Sequence, residues 1–172
     1  MTIDETVSRR NAAVAAHEAG HAVVARSLGV MVVRASAKPG AAGVVTRWRR
    51  TGVPAEYAAT MENLLLVDLS GQLAEYRATG QFDGNAWRAD ERNALSRALR
   101  LILDENHLRD DELNDGHRAT AAALVERLRP KAAALVEENW PAIERVAAAL
   151  ADGQILTGSE VDALMTAAAG TP

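Results

Sequence analysis

The chain contains no cysteine. That excludes disulfides, thiolate metal ligands and cysteine nucleophiles together, and it fits a reducing cytoplasm. Aromatic residues are almost as scarce, at 3%, so a core has to be built from Leu, Val, Ile and a large supply of Ala. A basic excess is also missing: the net charge is −4, which offers no electrostatic footprint for nucleic acid. Every long apolar run is broken by charge or glycine before the ~18 residues a membrane helix needs. Met1 to Arg10 carries Asp4 and Glu5 in place of the apolar stretch of a signal peptide. These absences point to a soluble chain with no membrane span and no nucleic-acid partner.

What is present favours helices. With 172 residues, 48% of them hydrophobic, the sequence suits one compact domain, 1–172. Alanine has the highest helix propensity and lets helix axes approach closely. A first helix is expected from about Ser8 to Leu28, with Asp4, Thr6 or Ser8 as caps and Gly29 as its stop. The β-branched stretch from Val30 to Ser36 reads as a strand, residues 38–43 as a turn, and Val44 to Trp48 as a returning strand. Pro54 opens a second helix to Thr79, and Asp83-Gly84-Asn85 turns the chain into a third, from Ala86 or Trp87 to His107. Helices at 117–139, 140–151 and from Ser159 follow, with Pro130 expected to kink or split the first of these. The fold class is therefore mainly α, with a small β-hairpin or sheet beside the first helix. The edge of that sheet either pairs with an extended peptide or only covers the core.

Inside the first helix lies His17-Glu18-Ala19-Gly20-His21. Four residues of helix place the two imidazoles one turn apart and about 40° around the axis, so they can converge on one point. Neutral imidazole suits zinc, and a catalytic zinc site has three protein ligands and a water. Glu18 follows the first histidine, within reach of that water as a general base. The pattern is that of a metal-dependent hydrolase. The longer metzincin pattern is excluded, because Val24 and Ser27 occupy the positions where it needs Gly and His. The third ligand is then a carboxylate or one of His107 and His117 from a later element; both of these histidines sit among acids at helix ends, as surface residues do.

The run from Ala15 to Ala25 around the histidines resembles the protease-domain signature of FtsH-type peptidases, the M41 metallopeptidase family. Further segments resemble that family in order: Val32 to Ser36 with Pro39-Gly40 and Gly43-Val44; Leu69-Ser70-Gly71-Gln72-Leu73-Ala74-Glu75; Asp90 followed by Ala94; and the helical ending from Leu135 to Leu164. The resemblance implies a zinc endopeptidase in which His17, His21 and Asp90 bind Zn2+ and Glu18 is the base. Glu75, on a polar stripe with Asp68, Gln72 and Thr79, is either an alternative ligand or a hydrogen-bond partner that orients a ligating histidine. No Gly-x4-Gly-Lys-Ser/Thr loop accompanies these segments, so the expected substrates are peptides or unfolded protein segments. A separate ATPase could deliver them. The family's hexameric rings imply self-association. The competing expectation is a catalytically retired fold that serves as a binding or regulatory module.

Overall fold

In the computed structural model, residues 3–48, 53–81 and 84–167 are described. Six helices and a three-stranded sheet follow one another as α1 (Ile3–Ser27), β1 (Met31–Ser36), β2 (Gly43–Arg47), α2 (Pro54–Thr79), α3 (Gly84–Glu105), α4 (Asp115–Glu138), α5 (Trp140–Ala151), β3 (Ile155–Leu156) and α6 (Gly158–Thr166). The chain is mainly helical with a small sheet, as its composition requires. None of the described helices is long and apolar enough to cross a membrane.

The long helix α2 is the centre of the packing. Met61 and Leu64 face one cluster, built with Val23 and Val24 of α1, Ile143, Val146 and Leu150 of α5, and Val161 of α6. Leu65, Leu66 and Leu69 face a second cluster, with Ala94, Ala98 and Ile102 of α3 and Ala121, Val125, Leu128 and Ala132 of α4. A helix covered on both sides is apolar nearly all round its middle, and residues 64–72 of α2 are all buried. The fully buried Ala94, Ala98, Ala121 and Ala132 are the small contacts that let α2, α3 and α4 lie close together.

Several boundaries differ from the sequence expectation. Helix α1 begins at Ile3, ahead of the expected caps. It ends as expected: Gly29 adopts φ +73°, and the Val30 N–H bonds Ala25 O at 2.8 Å across the turn. Helix α4 runs through Pro130 without splitting. The proline leaves the Glu126 carbonyl without its usual donor, but both residues are on the exposed side of the helix, where water can serve instead. The expected hairpin is one half of a sheet of order β2-β1-β3, all antiparallel. Strand β3 is two residues long and carries no period-2 signal. A bulge at Val33 shifts the β1–β2 register between Val32 and Arg34. Asp83 of the expected turn lies outside the described residues, and Gly84 and Asn85 are already helical.

Candidate metal centre

The centre is built where α1 crosses α2. Two glycines make that crossing possible. A Cβ on Gly20 would lie 2.6 Å from Ala74 Cβ and 2.8 Å from Ser70 O, and a Cβ on Gly71 would lie 2.3 Å from His21 Nε2. Gly20 therefore lets the helices touch, and Gly71 leaves a bay in α2 that the His21 ring fills. The histidines are buried at 5% and 9% exposure, so their ring nitrogens need partners from the protein or from a ligand.

Each Nδ1 has its partner on α2. His21 Nδ1 donates to the Val67 carbonyl at 2.7 Å, and His17 Nδ1 is 3.0 Å from Glu75 Oε2. A carbonyl or carboxylate oxygen can only accept, so Nδ1 carries the proton in both rings and the lone pair of each neutral imidazole is at Nε2. Those two Nε2 atoms are 3.1 Å apart. Asp90, from the second turn of α3, brings its Oδ2 to 3.1 Å from His17 Nε2 and 3.4 Å from His21 Nε2. With both imidazoles neutral no donor reaches Asp90 Oδ2, which among the described residues is the one buried side-chain polar atom without a hydrogen-bond partner.

Three acceptors thus face one point. Nothing neutral satisfies such a triangle, whereas a cation does. In a tetrahedral site with bonds of about 2.0–2.1 Å, neighbouring donor atoms are about 3.3–3.4 Å apart, close to the three observed separations. His17, His21 and Asp90 can therefore hold a metal ion. In the metal-free form protons occupy the same place. Burial pulls the His17 pKa down, but hydrogen bonds from the imidazolium to Asp90 and Glu75 outweigh it and raise the value to about 10. The same opposition, with Asp90 as the favourable partner, raises His21. Asp90 itself, which burial would raise, is brought down to about 2 by its hydrogen bonds to the two histidines.

Glu18 lines a cavity of about 230 Å³ together with His17, His21 and Asp90. Burial raises its pKa, with His21 and His17 offsetting part of the rise. No hydrogen bond or ion pair to the Glu18 carboxylate occurs among the described residues. A carboxylate of raised basicity that faces a cavity, beside a metal-holding triangle, can take a proton from a water or return one to a leaving group. Gly43, Val44 and Thr46 of β2 form another wall of this cavity.

The remaining histidines stand elsewhere. His107 is an exposed residue just beyond α3, with φ 56°. His117 closes a reciprocal cap on α4, its N–H donating to Asn114 Oδ1 at 3.0 Å and its Nδ1 accepting from the Asn114 N–H at 3.3 Å. Sequence reasoning missed Arg97, which lines the cavity and pairs with Asp68 at 2.6 Å. The available signal was its spacing of seven residues from Asp90, two turns along one helix face.

Comparison with family models and with curated proteins gives no match.

Proposed function

We propose that this chain is a zinc-dependent endopeptidase of the M41 type, hydrolysing peptides or unfolded protein segments without an ATPase module of its own. The observation that carries the reading is the convergence of three lone pairs, from His17, His21 and Asp90, at one wall of a cavity that also contains the Glu18 carboxylate. Two imidazoles and one carboxylate form a nitrogen- and oxygen-donor set suited to zinc, with the fourth tetrahedral position left for water or substrate. In this assignment Asp90 is the third ligand. Glu75 is the partner that fixes the His17 tautomer and ring orientation and increases its basicity as a ligand. A cytoplasmic setting accords with the lack of cysteine.

When bound, zinc supplies Lewis acidity, polarising a carbonyl oxygen and acidifying a water. Glu18 accepts the proton of that water as it attacks the scissile carbonyl. It then returns the proton to the departing amine, so one carboxylate serves as base and as acid. Val67 O and Glu75 hold both rings in the tautomer that keeps Nε2 available throughout. The β2 strand at the cavity wall offers backbone groups to an extended peptide.

The test uses three proteins and one chelator. Glu18→Gln should keep one zinc per chain and lose hydrolysis of unfolded casein, whereas His17→Ala should lose both. Chelation should stop the parent enzyme, and added zinc should restore it. Undiminished casein cleavage by Glu18→Gln would remove the mechanism. Stoichiometric zinc without hydrolysis of any member of a peptide library would identify a metal-dependent binding module instead.

A further inference from the structure

Arg97 has no role in the hydrolysis outlined above, yet it stands in the same cavity as the metal-holding residues. Seven residues after Asp90, it returns to within about 20° of the same helix face, about 10.5 Å further along the axis. Its Nε donates to Asp68 Oδ2 at 2.6 Å. Asp68 follows Val67, whose carbonyl fixes His21, so the pair is anchored to the backbone that orients the site.

The form of the ion pair matters. An arginine that serves only to tie two helices gains most from the bidentate arrangement, two parallel N–H donors on one carboxylate. Here Asp68 engages Nε, and the Nη1–Nη2 edge makes no other hydrogen bond among the described residues. Asp68 is largely buried, with 11% of its side chain exposed, while Arg97 keeps 29%. The buried carboxylate holds the guanidinium in place, and the second edge remains open to solvent and ligand.

Charge around the cavity narrows what that ligand is. The acidic groups lining it are Glu18, Asp68 and Asp90, and Arg97 is the one Lys or Arg among the described lining residues. Those acids disfavour a substrate carboxylate over most of this wall, and away from the metal position Arg97 is the group that offers it a planar double donor.

Resting on the peptidase reading, we propose that Arg97, positioned by Asp68, recognises a substrate carboxylate. The enzyme then acts on peptides that carry a negative charge within about three residues of the scissile bond, the number an extended chain needs to cover the separation of Asp90 and Arg97. The carboxylate is either the peptide's own C-terminus or an Asp or Glu side chain. Both present the same two oxygens to the same fork.

Calorimetry on the zinc-loaded full chain carrying Glu18→Gln tests this without turnover. The probes are acetyl-tetra-alanine as the free acid, the same peptide as its C-terminal amide, and the amide with glutamate in place of its last alanine. The free acid, the glutamate peptide or both should bind roughly 10- to 100-fold more tightly than the alanine amide, the range of a charge-assisted hydrogen-bonded pair; which of them does identifies the source. Arg97→Lys keeps a cation for Asp68 but lacks the second edge, and Arg97→Gln removes the charge. Both should lose the preference while binding the alanine amide as before, which also shows that they are folded. A preference that survives in both variants, or its absence in the parent, overturns the proposal.

With Glu18 restored, Arg97→Lys should raise KM for the preferred peptide at unchanged kcat. A fall in kcat on charged and uncharged peptides alike would instead place Arg97 on the reacting carbonyl and overturn carboxylate recognition. Retained Arg97-dependent binding with no hydrolysis of any peptide would remove the peptidase reading and leave the carboxylate site standing.

Discussion

Gly71→Ala is the sharpest perturbation of the metal centre, because it adds one methyl group and no chemistry. The new Cβ would lie 2.3 Å from His21 Nε2, 2.6 Å from Cε1 and 2.7 Å from Cδ2. Ordinary contact between such atoms is about 3.5–4.0 Å, so the ring has to move by about 1 Å or more. Metal–ligand distances tolerate only about 0.2 Å, and the shift also pulls Nδ1 from the Val67 carbonyl. His21 is then lost as a ligand, which should cost more than the roughly 10- to 100-fold of a lost orienting partner. Stability should change far less. Overpacking costs about 1–3 kcal/mol, and alanine recovers about 0.8–1 kcal/mol of helix propensity relative to glycine. A competitive zinc titration against a chromophoric chelator, paired with a chelator-treated thermal melt, separates the two effects. Parent-like zinc affinity in a folded Gly71→Ala protein would refute the placement of His21 against α2.

Asp90→Ala should abolish tight zinc binding, whereas Glu75→Gln should weaken it about 10- to 100-fold; the same titration checks both, and the reverse order would make Glu75 the ligand. Gly20→Ala should lower stability by about 1–3 kcal/mol, because its methyl meets Ala74 Cβ and the Ser70 carbonyl, and urea denaturation of the chelated protein measures it. The metal-free protein should lose stability as pH rises from about 6.5 to about 10. His17 binds its proton more tightly when folded, with a pKa raised to about 10, so its contribution is complete below the unfolded value and gone above the folded one. Asp90 works in the opposite sense: its pKa is about 2 in the fold, and its contribution disappears as pH falls from about 4 towards 2. Melts of the chelated protein across pH 2–10 check both limbs. Zinc binding near neutral pH should also release protons, because the metal displaces the one His17 holds, and calorimetry in buffers of different ionisation enthalpy counts them.

The local part of the site was legible in the sequence. His17, Glu18 and His21 need only helical geometry to meet, and the polar stripe of Asp68, Gln72 and Glu75 on an otherwise apolar helix could be seen from spacing alone. What that stripe pairs with could not be seen. Asp68 reaches Arg97, Gln72 donates to Glu91 at 3.3 Å, and Glu75 meets His17, partners set by how three helices dock. The doubly covered α2 also conceals which of its apolar residues face which neighbour, since a stripe that is apolar all round has no phase to read. Strand β3 escaped because two residues in a sheet are fixed by the strand they join. The start of α1 escaped because Asp4, Thr6 and Ser8 are read equally well as caps or as residues of a helix's first turns, and here they lie inside the helix.

The tight crossing of α1 and α2 has a further consequence for how the protein fails. Sites carried on loops can loosen while the scaffold stays intact, so activity often fades below the melting temperature. Here the metal-holding nitrogens rest on a helix pair joined at Gly20 and Gly71 and flanked by the central apolar residues. Withdrawing the His21 ring from the bay at Gly71 requires those helices to separate. Amide hydrogen exchange at Ala19 to Val23 and at Leu69 to Gln72 should therefore proceed only through whole-molecule unfolding, and thermal loss of bound metal should coincide with loss of the helical signal.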